Sequence, residues 1–293
     1  MKKIILLLLL LAAIKAEAQK GIVFKMKYQP GHKYTSLMAI GINLKVNMTG
    51  NDTVLNKLKS QGITLPLALN ANANINGDIT TGAKSADNSF PLTVNFSVQD
   101  LALMLNGKQI DPLKGKNIAI KIYAHNNPDG KIVADSTFFN NKKTISNLSK
   151  NDSVKTSMSS MLDALQHQIK FPDRPLKVGD SFDQNAPMGN LPMGVGKGAN
   201  ITKSTVKTTY KLTGIAKGKA YFDIMQTVDV AVTVKTANVS LTGNGSGKLV
   251  YSIKDNFPLA FNNKLSMKLN VAAGSTVVDG SADITLDSTY TVN

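Results

Sequence analysis

Side chains that commonly transfer protons or bind metals are few in this chain and widely spaced. The three histidines are His32, His125 and His167, and no two of them have the spacing of metal ligands. Cysteine is absent, which excludes thiol nucleophiles, cysteine-ligated zinc and disulfides. No motif of a known catalytic class occurs. The sequence therefore predicts no metal, no cofactor and no catalytic residue. A hydrolase built from Asp and His residues that meet only in the fold is a remote alternative.

The first eighteen residues have the three parts of a secretory signal peptide. Lys2 and Lys3 are followed by an apolar run over residues 4–14 and then by an Ala-x-Ala site, so cleavage is expected between Ala18 and Gln19. The apolar run is shorter than the ~20 residues that span a bilayer. We expect an exported protein, periplasmic or secreted. No later transmembrane helix is expected, and without cysteine there is no lipobox anchor.

The net charge constrains the partners. It is +15 at pH 7, with 34 Lys and Arg against 19 Asp and Glu. The lysines are spread through the chain without a run of five or six basic residues, so no nucleic-acid patch is predicted. An anionic envelope surface remains a candidate partner. The spread lysines are equally consistent with an ordinary solvent-facing surface. The oligomeric state is not determined by the sequence.

One stretch has clear helical periodicity, and it is expected to position the candidate ligand site. A helix is predicted over residues 151–170 and should end before Pro172, because proline disfavours helical geometry at the residue before it. This stripe either packs on a sheet or lines a site for a hydrophobic ligand, with Met188 and Met193 of the following loop at its mouth. The apolar stripe consists of Val154, Met158, Met161, Leu162, Leu165 and Ile169.

The segment after the helix, RPLKVGDSF over residues 174–182, has the composition of an ordered turn. Pro175 fixes one φ angle, Gly179 permits a tight turn, and Asp180 can bond the turn backbone. Arg174 is the only arginine in the chain, and its partner would be Asp180 or Asp173. The alternative is an exposed arginine without a structural role.

This phrase, Pro-x-Lys-Val-Gly-Asp-Ser-aromatic ending at Phe182, resembles a motif in a family of uncharacterised exported proteins of the Bacteroidota. In that family a similar phrase divides two β-rich halves. The segment Tyr210-Lys-Leu-Thr-Gly214, with the later spaced glycines, is a second similarity. The resemblance implies export and a β-rich fold. It implies no catalytic residues, because the family has no assigned activity.

The pattern of the rest of the chain predicts long strands. Leu67 to Thr81 alternates between apolar and polar residues, as a half-buried antiparallel strand does. Asn106-Gly107 is a hairpin turn signal. The even positions from 220 to 234 are apolar with Gln226 as the exception. Three spaced glycines at 243, 245 and 247 allow sharp curvature or a close backbone approach.

These observations predict a mainly β protein with one main central helix. About eleven strands should form a long-stranded antiparallel sheet that is curled or forms a half-barrel, similar to periplasmic lipoprotein carriers. Residues 19–293 are expected to form a single β-rich domain, with two halves (19–150 and 171–293) joined by the helix. The first functional hypothesis is binding of a lipid or other hydrophobic small molecule in the sheet concavity. The alternative is a non-enzymatic envelope interaction or structural protein with a fully packed core.

Overall fold

A computed structural model describes residues 21–50, 52–60, 64–110, 118–128, 132–139, 169–185, 199–234 and 237–293. Within these residues the protein is mainly β, as the sequence predicts. The elements in chain order are β1 (Lys33–Thr49), α1 (Asp52–Ser60), β2 (Leu67–Thr81), β3 (Phe90–Leu105), β4 (Lys108–Ile110), β5 (Ile118–Asn126), β6 (Ile132–Phe139), β7 (Ser181–Asn185), β8 (Ala199–Ala216), β9 (Lys219–Val234), β10 (Ala237–Ser252), β11 (Phe257–Ala273) and β12 (Thr276–Val292).

All of the described strands belong to one antiparallel sheet that curls without closing. The strand order is β6-β5-β3-β2-β1-β12-β11-β10-β9-β8-β7, and β4 extends β3 at the side. The first and last long strands pair over their whole length, from Tyr34 opposite Val292 to Thr49 opposite Val277. This pairing joins the two halves of the sequence into one continuous sheet. The first and last strands of the chain, β1 and β12, therefore lie at the centre of the sheet, whereas β6 and β7 form its edges.

Alternation of side chains gives the sheet two faces of opposite character. The inner face is the side on which buried residues such as Tyr34, Val94, Phe222 and Leu249 lie, and the outer face is the opposite side. Residues that are opposite in register share a face, so Phe222 and Leu249 lie side by side with Phe261 on the inner face. Serine, threonine, asparagine, aspartate and lysine dominate the outer positions of β10 to β12.

The strands are long, and hairpin turns and glycines fit them together. Strands of 16 to 18 residues extend over ~50 Å at ~3.3 Å per residue, which requires a coiled sheet. The predicted hairpin at Asn106-Gly107 is confirmed, with φ of +47° and +77° at these residues. A register shift between Asn74 and Ile75, opposite Asp100 and Val98, places a bulge at Gln99 in β3.

Two of the three buried clusters of the described residues lie at one end of the strands, beneath an N-terminal segment formed by residues 22–29, and the third lies further along β9 and β10. This segment is an extended chain that lies against the inner face. Phe24 packs with the buried side chains of β7 to β10, Tyr28 packs with those of β1 to β5, and Met26 touches both groups. The Phe24 ring lies 5.3 Å from that of Phe222 and 5.5 Å from that of Tyr251. The segment thus links the two halves of the sheet.

Several local expectations require correction. The segment at residues 22–29 alternates as a strand does, but it makes only an isolated bridge between Ile22 and Leu176, and its Lys27 amide donates to the Asn256 carbonyl in a turn. Ile169 and Lys170, expected at the end of the central helix, are not helical. The remainder of that predicted helix, residues 151–168, lies outside the described residues. The sheet also contains β4 and β7, which the alternation pattern did not predict.

A short helix, α1, follows β1. None of the helices among the described residues is long and apolar enough to cross a membrane.

Candidate functional site

On β1, β11 and β12 the inner face away from the N-terminal segment is apolar but only partly covered, whereas on β9 and β10 the inner residues Val228, Val230, Val232 and Leu241 are buried. In β1 every second residue from Met38 to Met48 points to this face, and these side chains are half-buried instead of buried. The matching positions of β12, from Val278 to Leu286, are half-buried as well. A half-buried apolar surface shared by several strands is typical of a ligand-binding groove or an interface.

The long strands β1 to β3 and β8 to β12 carry no charge on this surface. No Lys, Arg, Asp or Glu occupies an inner position of β1 to β3 or of β8 to β12. Charged residues in these strands lie on the outer face, where Lys203 Nζ is 2.5 Å from Asp229 Oδ2 and Lys33 Nζ is 3.5 Å from Asp78 Oδ1. The inner face is therefore suited to uncharged, hydrocarbon-rich matter.

Three of the polar side chains on the inner face are hydrogen-bonded to one another. Asn263 Nδ2 in β11 donates to Gln226 Oε1 in β9 at 2.7 Å, and Gln226 Nε2 donates to Thr208 Oγ1 in β8 at 3.4 Å. We call Thr208, Gln226 and Asn263 the polar brace. It spans four neighbouring strands, although its members come from three of them.

The brace depends on a glycine in the strand that it crosses. Gln226 lies opposite Gly245 of β10, and a Cβ at Gly245 would be 2.7 Å from Gln226 Oε1. The absence of a side chain at Gly245 lets the glutamine amide pass over β10 and reach Asn263 on β11. The spaced glycines thus allow a close approach, as the sequence predicts, and here the approaching group is a side chain.

One atom of the brace has no partner within the described residues. Asn263 Oδ1 is buried and accepts no hydrogen bond. Leaving a buried acceptor unpaired costs about 1–3 kcal/mol. Asn263 as a whole is only half-buried, so part of its side chain borders the open inner face while Oδ1 itself is covered.

The predicted motif at residues 174–182 is placed at the sheet edge as a structural turn. Arg174 Nη1 lies 3.5 Å from Asp180 Oδ2, and Nη2 donates to the Ser181 carbonyl at 3.0 Å. Asp180 Oδ2 also accepts from the Lys177 amide at 3.0 Å. Gly179 has φ of +99°, which favours glycine.

Apolar residues of the same motif anchor it to the core. Leu176 is fully buried and exchanges two backbone hydrogen bonds of 2.9 Å with Ile22, while Phe182 stacks on Tyr210 with ring centroids 4.9 Å apart. A Cβ at Gly21 would come within 2.7 Å of Pro175 Cβ, so the N-terminal segment passes directly against this turn. The motif therefore joins the N-terminal segment to β7 and β8.

The other sequence-predicted site residues lie outside the described residues. They are Met158, Met161, Leu162, Leu165, Met188 and Met193 of the proposed ligand site and Ala18 and Gln19 of the proposed cleavage site. Their roles stay predictions. The described part of the candidate site is the sheet itself.

Buried tyrosines surround the covered end of the inner face. Burial, reinforced by the neighbouring Tyr290 and Tyr34 phenols, raises the pKa of Tyr28, whose hydroxyl has no partner among the described residues. Burial raises the pKa of Tyr210 to about 12. Tyr251 also has a raised pKa from burial, and its hydroxyl donates to the Lys25 carbonyl of the N-terminal segment. These phenols stay neutral at physiological pH and serve packing.

The outer face carries open polar grooves. One of about 510 Å³ is lined by Lys45, Lys268 and Asp279 among others, and one of about 800 Å³ by Lys211, Asp223 and Asp287 among others. The Asp279 carboxylate is engaged by a neighbour, since Asn270 Nδ2 donates to Asp279 Oδ1 at 2.6 Å. Each groove is lined by one more lysine than aspartate, so each has a small excess of positive charge.

In the part of the chain that the structure describes, no side chains are arranged as a catalytic group. No three His, Asp or Glu side chains there come together as metal ligands. The His32 ring nitrogen Nδ1 lies 2.8 Å from the Pro30 carbonyl in a turn, and no Asp–His pair is formed at that position.

Searches of this chain against protein-family models and against curated proteins find no match. The similarity of residues 175–182 to an exported family therefore stays a prediction.

The sequence contained one signal for the polar brace. Gln226 is the exception in an otherwise apolar run, and that exception marks the centre of the brace. Asn263 breaks the apolar positions of β11 in the same way, but its neighbour is a residue 37 positions away that only the strand register identifies.

Proposed function

We propose that this protein binds a lipid or another long hydrophobic molecule on the inner face of its sheet. The observation that supports the proposal is the half-buried, uncharged apolar surface of β1, β11 and β12 beyond the N-terminal segment. Burying hydrocarbon against such a surface gains about 0.8 kcal/mol per methylene. An alkyl chain extended along a strand would find apolar side chains at every second residue.

The structure supplies a matched pair of variants for the test. Ile284 lies at the middle of the half-buried surface, between Ile42 and Leu265 in register, and the next residue, Thr285, points to the outer face. Ile284→Lys should weaken binding of the neutral fluorescent probe N-phenyl-1-naphthylamine at least tenfold, because it places a cation in the groove. Thr285→Lys should leave probe binding unchanged.

Circular dichroism and thermal unfolding establish that both variants are folded before the titration is interpreted. Failure of the unmodified protein to bind the probe or any of a panel of lipids would refute the proposal. Equal probe binding by the two variants would place the site elsewhere.

A second candidate function, an interaction with a polar component of the cell envelope, is favoured by the outer-face grooves. Lysines 45 and 268 flank the groove of about 510 Å³. Titration calorimetry with an acidic polysaccharide at low and high salt would test it. Replacing both lysines with glutamine should abolish a salt-sensitive heat of binding, and no heat at low salt would exclude this candidate.

A further inference from the structure

The polar brace occupies positions where the fold alone requires apolar residues. Thr208, Gln226 and Asn263 all lie on the inner face. The inner-face neighbours of Gln226 along β9 are Ile224 and Val228, and both are buried. Burying polar groups in such a row is unfavourable unless every donor and acceptor is paired.

The hydrogen bonds inside the brace leave it incomplete in a specific way. Asn263 donates to Gln226, and Gln226 donates to Thr208. The amide oxygen of Gln226 therefore accepts a hydrogen bond, whereas that of Asn263 accepts none. A purely structural brace between strands would be served as well by packed apolar side chains. The missing partner of Asn263 is one hydrogen-bond donor.

The charge of that partner follows from its surroundings. The inner positions of the strands that carry the brace hold no cation to balance an anion and no carboxylate to balance a cation. A buried ion without a counter-charge is strongly disfavoured. A neutral hydroxyl or amide N–H satisfies Asn263 Oδ1 without that penalty.

We propose that Asn263, held by Gln226 and Thr208 across Gly245, is the polar anchor for a neutral amphiphile. The ligand class is a long-chain molecule with a hydroxyl or amide donor, such as an alcohol or an acylated amide, in preference to a fatty-acid anion. This inference rests on the proposed function, because it assumes that hydrocarbon occupies the inner face. It adds to that function a polar contact at Asn263 Oδ1 and a selectivity for neutral ligands that carry a hydrogen-bond donor.

The test compares two ligands that differ in one donor. Residues 19–293 are titrated with 1-hexadecanol and with its methyl ether, each competing with the bound fluorescent probe. The ether keeps the oxygen and the alkyl chain but has no hydroxyl hydrogen. The wild type should prefer the alcohol by about three- to tenfold, the range for one net hydrogen bond. Palmitate at pH 8 should bind more weakly than the alcohol.

Variants locate the preference within the protein. Asn263→Leu should reduce the alcohol-to-ether ratio to about one while binding of the ether is retained. Asn244→Leu, an exposed position on the outer face of β10, is the matched control and should keep the wild-type ratio. A loss of stability alone would change both affinities and leave their ratio intact.

The outcomes separate the two proposals. Equal binding of alcohol and ether by the wild type would overturn the anchor and leave the hydrophobic site standing, and this comparison does not depend on any variant folding. A ratio that persists in Asn263→Leu would also overturn the assignment to Asn263. Binding of neither ligand would refute the proposed function itself.

Discussion

Gly247→Ala tests whether the glycines of β10 are required by the packing of strand against strand. A Cβ at this position would overlap the Asn262 carbonyl oxygen of β11 and lie 3.0 Å from Asn263 Cα. Ordinary non-bonded separations are about 3.5 Å, so the two strands would have to part by on the order of 1 Å. Backbone atoms, unlike the end of a flexible side chain, cannot rotate away.

The expected destabilisation follows from two opposing contributions. Overpacking of this kind costs about 1–3 kcal/mol or more, and the lower entropy of the unfolded alanine chain returns about 0.4–1 kcal/mol. A net loss of about 2 kcal/mol should lower the Tm by about 4–8 °C for a chain of this size. The measurement is thermal unfolding followed by circular dichroism, with urea unfolding for the free energy.

Gly214→Ala in β8 is the matched control. The nearest atom to a Cβ there is Tyr221 Cδ2 at 3.9 Å, an ordinary contact. Its Tm should stay the same or rise by about 2 °C. Equal stability of the two variants would refute the close approach of β10 to β11, and with it the geometry on which the polar brace depends.

Three further outcomes are expected. Phe24→Ala should destabilise the fold by about 3–5 kcal/mol in urea unfolding because the ring is only 2% exposed. The control Val23→Ala, at a position that is 42% exposed, should change stability by less than about 0.5 kcal/mol. Similar losses for both variants would contradict a buried N-terminal segment. Within the motif, Phe182→Ala should cost about 3–5 kcal/mol, whereas Arg174→Ala should cost less than about 1 kcal/mol because its ion pair is exposed; the reverse order would show that the arginine is the structural element. Since burial raises the pKa of Tyr210 to about 12 from 10.0, only the unfolded chain ionises it between those values, so stability from this phenol is complete below pH 10 and is lost as the pH rises toward 12. The free energy of unfolding of Tyr210→Phe should therefore fall by up to about 2–3 kcal/mol less than that of the wild type between pH 10 and pH 12. Parallel curves of unfolding free energy against pH would contradict this assignment.

Strands and faces were accessible from the sequence because alternation is a local property. The bounds of β2 coincide with the alternating run from Leu67 to Thr81, and the Asn106-Gly107 turn was visible as a dipeptide. The small polar residues of the outer face likewise follow from period two.

Long-range relations were not accessible, because they depend on register and packing. The pairing of β1 with β12 joins residues that are 228 to 258 positions apart (277 − 49 and 292 − 34), and no local pattern selects it. Residues 22–29 alternate as a strand does, yet the segment packs its apolar side chains on the inner face without joining the sheet. β7 is five residues long and adjoins a turn, so its pattern is too short to identify.

The apolar character of the inner face follows from strand alternation, whereas the ligand site itself stays a prediction. An apolar concavity was expected, and the described half-buried surface has that character. The methionines and leucines expected from the central helix lie outside the described residues, whereas the polar brace arises from Gln226 meeting Asn263 across a strand. Only the three-dimensional register brings these two side chains together.

Native mass spectrometry of residues 19–293 as purified, followed by denaturing lipid extraction, tests the hydrophobic site most directly. We predict a near-stoichiometric adduct that is released on denaturation and identified as a neutral long-chain molecule. A bare protein mass, with no adduct and no thermal shift after incubation with a lipid panel, would contradict ligand binding on the inner face.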